Sequence, residues 1–120
     1  MRRSQSTISF EVCRDQLVRQ VLFADGRGYT QICKLAVFEQ VAGLIEERGN
    51  QGVTTNELWE ALPDLPCTQI SVALAFLKER GCVEVNRRRA YPATGTLYED
   101  ALTEYHALAH AATNPGRSDG

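Results

Sequence analysis

Three consecutive arginines, Arg87, Arg88 and Arg89, are the residues of this chain whose type and spacing most clearly suggest a chemistry. Guanidinium groups carry a permanent positive charge and donate paired hydrogen bonds that match phosphate oxygens. Arg2 and Arg3 place a second local positive charge at the start of the chain. The arginine run therefore predicts a phosphate-binding surface, with a solvated turn as the alternative interpretation.

Metal binding and catalysis find little support in the other side chains. The two histidines, His106 and His110, stand four residues apart and could share one face of a helix, but no third ligand follows in register. The sequence contains no glycine-rich phosphate loop and no serine-hydrolase or zinc-hydrolase motif. We therefore predict no metal, no cofactor and no enzymatic activity.

A helix, a turn, a second helix and a β-hairpin are predicted to position the arginines. Thr54 and Glu57 form a capping box at the start of the first helix, which Pro63 ends. The second helix, over residues 67–80, carries apolar side chains on one face and stops at Gly81. Strand-forming residues then flank the arginines over residues 82–92, so the arginines should lie in a hairpin turn.

The segments before this region are predicted to be helical. Residues 10–23 carry apolar side chains at helical spacing, although Ile8, Phe10 and Val12 alternate as they would in a strand. A long helix is predicted at residues 30–48, and it is apolar around almost its whole circumference. Such a helix must be covered by the N-terminal segment, by the C-terminal helix or by a second subunit.

A second capping box, Thr96 with Glu99, predicts a C-terminal helix over residues 97–112. We expect a homodimer through the helices at 30–48 and 97–112, with packing of the C-terminal helix on its own domain as the alternative interpretation. The predicted boundaries are a flexible arm at residues 1–8, one domain at 9–112 and a disordered tail at 113–120.

Composition fits one small domain without a global positive charge. The chain has 120 residues and a formal charge of −2 at pH 7, so any phosphate-binding surface must be local. No signal peptide or membrane-spanning apolar run is present, and we expect a cytoplasmic protein that contacts no membrane. The four cysteines have no C-x-x-C spacing and should be reduced, with Cys67 as the one candidate redox sensor because a helix N-terminus lowers a thiol pKa.

The order of helix, turn, helix and hairpin, together with the run LKERGCVEVNRRRAY, resembles the winged-helix variant of the helix-turn-helix. The run is similar to the end of the recognition helix and the wing in bacterial regulators of the multiple-antibiotic-resistance and arsenic-repressor types. This resemblance implies a mainly helical α+β fold, with the helix-turn-helix at residues 54–80 and the wing at 82–92, that binds double-stranded DNA. The contacts it implies are Thr68, Gln69, Ser71 and Val72 in the major groove, and Lys78, Arg87, Arg88 and Arg89 on phosphates.

The predicted groove-facing side of the second helix is neutral and rather apolar. Residues that read bases and phosphates are usually Arg, Lys, Asn or Gln, yet this side offers only Gln69 and two hydroxyls beside Val72 and Ala75. Two functions follow. The first is a transcriptional regulator that binds duplex DNA as a dimer, and the second is a winged-helix protein-interaction module that uses Val72 and Phe76.

Overall fold

The first three elements of the described residues form a three-stranded antiparallel sheet. The structure, a computed structural model, describes residues 6–113, with side chains from residue 6 to residue 111. The central strand of the sheet is β2, and the three strands are β1 (Ser6–Cys13), β2 (Gln16–Phe23) and β3 (Gly28–Lys34). Residues 6–8 of the predicted arm therefore belong to β1, while residues 1–5 and 114–120, with Arg2 and Arg3, lie outside the described residues.

The helix predicted at residues 10–23 is wrong, because this segment is the β1–β2 hairpin. The alternation of Ile8, Phe10 and Val12 was the correct signal: Val12 pairs with Leu17 across the hairpin, and both side chains are buried. A two-residue turn, Arg14-Asp15, joins the strands with φ of 55° and 62°. Such turns favour Asn-Gly, so the sequence lacked the usual hairpin signal.

The long helix begins later than predicted. Residues 28–34 form β3, which pairs with β2, and helix α1 covers only Leu35–Arg48. Its first amide, that of Leu35, donates to the carbonyl of Asp15 at 3.2 Å, which ties the helix start to the β1–β2 turn. The helical spacing seen from Ile32 onward therefore combined the end of a strand with the start of a helix.

The apolar surface of α1 is covered within the chain. Helices α3 (Cys67–Glu79) and α4 (Leu97–Thr113) pack against it, as do β3 and the second hairpin. The buried residues of α1 are Val37, Phe38, Val41, Ala42 and Ile45. Of the three candidates named from the sequence, the N-terminal segment and the C-terminal helix both bury apolar residues of α1. A second subunit is therefore not required to explain why this helix is apolar on most sides.

The elements predicted in the middle of the chain are confirmed. Helix α2 covers Thr55–Ala61, a turn leads into α3, and a second antiparallel sheet joins β4 (Val83–Asn86) to β5 (Arg89–Pro92). Val53, just before α2, exchanges two backbone hydrogen bonds of 3.0 and 2.8 Å with Ala90. This bridge fixes the second hairpin beside the start of α2.

Helix α4 starts where the sequence predicted, and Glu46 of α1 accepts a hydrogen bond from the Tyr98 amide at 2.6 Å. The described residues form an α+β fold of four α-helices and two small antiparallel sheets, and the three-stranded sheet is the part that was not predicted from the sequence. No helix within residues 6–113 has the length and apolar character to cross a bilayer.

Candidate nucleic-acid interface

The tip of the β4–β5 hairpin presents two arginines to solvent. Arg87 and Arg88 occupy a two-residue turn with φ of 54° and 69°, and both side chains are exposed. Left-handed backbone costs a non-glycine residue about 1–2 kcal/mol, and Asn-Gly is the favoured pair at such turns. Backbone strain of this kind is concentrated at functional sites. The turn therefore holds two charged side chains at a cost in stability that Asn-Gly would avoid.

The third arginine of the run has a different role from the predicted one. Arg89 donates from Nη1 and Nη2 to the two carboxylate oxygens of Glu57, at 3.1 and 3.0 Å, and also contacts the carbonyls of Gln51 and Gly52. Its guanidinium is therefore occupied by the start of α2 and is not positioned as a phosphate contact. The prediction for Arg89 is corrected: this side chain fixes the hairpin to the helix.

Glu57 is the residue that the sequence interpretation of the site missed, although its capping box was recognised. The box is formed: the Glu57 amide donates to Thr54 Oγ1 at 3.1 Å, and the Thr54 amide donates to Glu57 Oε1 at 3.2 Å. The same carboxylate thus caps α2 and binds Arg89. The sequence did contain a signal for this ion pair. Glu57 supplies a carboxylate, and the run of three arginines has one more residue than the two-residue turn of the hairpin holds.

Glycine is required at the junction between α1 and this region. Gly52 has φ of +68°, and a Cβ atom there would lie 2.6 Å from the ring of Tyr91. The ring of Tyr91, on β5, thus lies directly over the backbone that precedes Val53. This close approach brings the hairpin against the start of α2, where Arg89 meets Glu57.

Acid is expected to weaken the attachment of the hairpin. Hydrogen bonds from Arg89 and from the Thr54 amide hold the pKa of Glu57 below its ordinary value of 4.5. A carboxyl group with a lowered folded-state pKa stabilises the fold above its unfolded pKa, and this contribution is lost as the pH falls through the folded pKa. We expect the difference in unfolding free energy between wild type and Glu57→Gln to be largest near neutral pH and to shrink in acid, as measured by urea unfolding.

The control for this comparison is Glu60→Gln, which removes an exposed carboxylate from the same helix. That variant should show no comparable dependence on pH. A Glu57→Gln difference that stays constant as the pH falls would show that the Glu57 charge does not hold the hairpin.

Between its exposed end residues Cys67 and Glu79, helix α3 exposes a narrow stripe. Thr68 and Lys78 are exposed, and Ser71 and Ala75 between them are half-buried. Val72, in contrast, is 0% exposed, so its predicted groove contact is wrong in this fold. The residues of the stripe recur at helical spacing, so they form a continuous surface of hydroxyls, a methyl group and one ammonium.

Gln69 is not free to contact a base as predicted. It is half-buried, and its side-chain oxygen accepts a hydrogen bond of 2.9 Å from the backbone amide of Lys34. The residue therefore joins the N-terminal part of α3 to the end of β3. Of the four predicted groove contacts, only Thr68 and Ser71 are therefore accessible on the surface of α3.

A cleft of about 490 Å³ lies between the start of α2, α3 and the β4–β5 hairpin. The residues that line it include two cations and no carboxylate, so its electrostatic potential favours anions. Val85, which is 49% exposed, forms part of the apolar floor. The polar lining residues are Thr54, Thr55, Asn56, Lys78 and Arg88.

The groups considered for metal or redox chemistry are dispersed. Within the described residues no three His, Cys, Asp or Glu side chains are close enough to hold a metal ion. The ring of His106 packs edge-on against Tyr105, at 5.4 Å between centroids. Cys33 is buried, which raises its pKa to about 12, while Cys67 is exposed at the start of α3. Cys67 thus has the accessibility that oxidation requires, and Cys33 is a protonated core thiol.

The surface formed by the α3 stripe, the cleft and the hairpin tip is called the α3–hairpin surface below. It combines Lys78, Arg87 and Arg88 with short polar side chains. Of the carboxylates next to these residues, Glu57 binds Arg89, Glu79 pairs with Arg80 at 3.6 Å, and Glu84 is exposed on β4. Compared with known proteins, the sequence matches no family model and no curated protein, and the fold matches no solved structure.

Proposed function

We propose that this protein is a winged-helix domain that binds duplex DNA through the α3–hairpin surface, with transcriptional regulation as its role. The observation that carries the proposal is the hairpin tip, where Arg87 and Arg88 are exposed and hold left-handed backbone that other residues would adopt more easily. A turn kept at such a cost is best explained by the charge that it presents. The β4–β5 hairpin is then the wing, and α3 is the recognition helix.

The chemistry of the surface favours contacts to the DNA backbone over base readout. Lys78, Arg87 and Arg88 supply the charges that bind phosphates and release counterions. Thr68 and Ser71 can donate to a phosphate or to a base edge, and the Ala75 methyl can contact a thymine methyl group. Because Gln69 is bound to β3, no side chain of the stripe offers bidentate pairing with a base. We infer that sequence discrimination by one domain is weak.

The alternative function, a protein-interaction module, loses the residues on which it was based. Val72 and Phe76 are both 0% exposed, and Phe76 packs against Phe10 and Phe38 of the same chain. The apolar side of α3 is therefore covered by the N-terminal sheet. The apolar residues of α3 that argued against DNA binding thus pack inside the chain, and they do not form part of its surface.

A homodimer is kept as part of the proposal, with α4 as its contact element. Tyr98, Leu102 and Leu108 lie on α4 and are half-buried within one chain, so part of each side chain is still accessible. Dimerisation would double the number of phosphate contacts and allow two half-sites to be read together. Weak discrimination by each domain makes this second copy useful.

The experiment that tests the proposal is a titration of a short, fluorescently labelled duplex of mixed sequence with the protein. Binding is measured by fluorescence anisotropy and repeated at increasing salt concentrations. Three phosphate contacts predict that log K falls against log[salt] with a slope of about −2.7 or steeper. Absence of binding even at low salt, or binding that does not respond to salt, would contradict DNA recognition by this surface. Single-stranded and duplex RNA of the same length serve as comparison ligands.

A further inference from the structure

The cations of this protein fall into two groups according to their partners. Arg19, Arg27, Arg80 and Arg89 each bind a neighbouring side chain by hydrogen bonds or ion pairs. Among the described residues, the Lys and Arg side chains with neither kind of contact are Arg14, Lys34, Arg48, Lys78, Arg87 and Arg88. Three of these belong to the α3–hairpin surface, and two others, Arg14 and Lys34, lie on the N-terminal sheet.

Arg14 and Lys34 lie next to the N-terminal end of α3. The Lys34 amide donates to the Gln69 side chain at 2.9 Å, in the first turn of α3. The next amide, that of Leu35, donates to the Asp15 carbonyl at 3.2 Å, which places Arg14 one residue from the same junction. Both side chains are exposed. Unpaired cations thus occur near both ends of α3: Arg14 and Lys34 near its start, and Lys78 with the hairpin arginines near its end, while Arg48 lies apart in the last turn of α1.

The backbone at Arg14 repeats the feature of the wing tip. Arg14 has φ of 55°, in a two-residue hairpin turn where Asn would be accommodated more easily. Both two-residue hairpin turns of the described chain therefore carry an exposed arginine in left-handed backbone. The two turns belong to different sheets and flank the same helix.

The length of α3, which separates the two groups, is comparable with the width of a DNA groove. From Thr68 to Lys78 the helix rises by about 15 Å, at about 1.5 Å per residue, and the major groove of B-DNA is about 12 Å wide. A helix lying in that groove with cations at each end can therefore meet phosphates on both bordering strands. We propose that Arg14 and Lys34 form a second phosphate contact, on the strand opposite to the one that meets the wing. This inference rests on the DNA-binding function proposed above.

The test is the salt dependence of duplex binding by the double variant Arg14→Asn/Lys34→Gln. Asn tolerates left-handed backbone, and Lys34→Gln keeps the backbone amide that binds Gln69, so the fold should be preserved. We expect the slope of log K against log[salt] to become shallower by about 1.8, which corresponds to roughly 50-fold weaker binding near 0.1 M salt. Unfolding in urea, measured on the same samples, should show unchanged or slightly higher stability.

The control is Arg27→Gln, which removes one positive charge from the loop between β2 and β3, where Asp25 already pairs with it. Its salt slope should equal that of wild type. If wild type binds and wing variants weaken binding, while Arg14→Asn/Lys34→Gln keeps the wild-type slope, the second contact is overturned and the proposed function stands. If wild type does not bind duplex DNA at low salt, both are overturned.

Discussion

Replacing Arg87 and Arg88 with Asn and Gly is expected to weaken DNA binding and to stabilise the fold in the same variant. Two phosphate contacts contribute about 1.8 to the slope of log K against log[salt], which corresponds to roughly 50-fold in affinity near 0.1 M salt. Asn-Gly is the preferred pair for a two-residue turn with both φ angles positive. Relief of left-handed strain at two arginines should raise the unfolding free energy by about 1–2 kcal/mol. Anisotropy titrations and urea unfolding of the same samples measure both quantities.

Opposite changes in affinity and stability separate a functional turn from a merely solvated one. A solvated turn would gain the stability and keep the affinity, which would contradict the wing assignment. The single variant Arg88→Gly removes the arginine that lines the cleft and leaves Arg87 in place. The salt slope of this variant should change by about 0.9, which is half of the change expected for the double variant. Arg27→Gln again controls for the change in net charge.

The middle of the fold could be predicted from sequence because its signals are local. Thr54 and Glu57 specify a helix start through hydrogen bonds within four residues, and these bonds are present. Gly81, with φ of +77°, ends α3 where the pattern required. Such features depend on neighbouring residues only, so tertiary packing had little opportunity to override them.

The N-terminal sheet could not be predicted in the same way, because its pairing is non-local and its turn is atypical. The turn of the β1–β2 hairpin is Arg14-Asp15, whereas the usual sequence signal of a two-residue hairpin turn is Asn-Gly. The third strand follows a loop and runs directly into α1, so its apolar residues merge with the helical pattern of the helix. Periodicity alone assigns such a segment to whichever element is longer.

The errors in the candidate site share one cause, which is the unseen partner of each side chain. Arg89 was grouped with two neighbours of the same type, but alternation along β5 and the nearby Glu57 give it a separate role. Gln69 and Val72 were placed on an open surface that the N-terminal sheet covers. Once β1–β3 replace the predicted first helix, these residues become structural and the exposed stripe of α3 narrows. The remaining surface keeps three of the four predicted phosphate contacts, Lys78, Arg87 and Arg88, together with the hydroxyls of Thr68 and Ser71.

Phe76→Ala is expected to be among the most destabilising single substitutions in this chain. The Phe76 ring is 0% exposed and packs edge-to-face against Phe10 of β1, at 5.3 Å between centroids, and against Phe38 of α1, at 5.7 Å. Removing it opens a cavity where the sheet, α1 and α3 meet. Phenylalanine-to-alanine changes in such cores cost about 3–5 kcal/mol, which is a large part of the roughly 5–15 kcal/mol that stabilises a typical domain. Urea unfolding followed by tryptophan fluorescence measures the loss.

The size of that loss decides between the two interpretations of the apolar side of α3. A side chain that served a partner protein would be exposed in the isolated chain, and its truncation would change the unfolding free energy by less than about 0.5 kcal/mol. Val85→Ala is the matched control, because Val85 is 49% exposed and should show such a small effect. A loss of several kcal/mol at Phe76 alone would mean that the apolar side of this helix packs in the core of its own chain, against the N-terminal sheet and α1. The neutral α3 of the sequence would then be a helix with one side in the core and only its narrow polar stripe available to DNA.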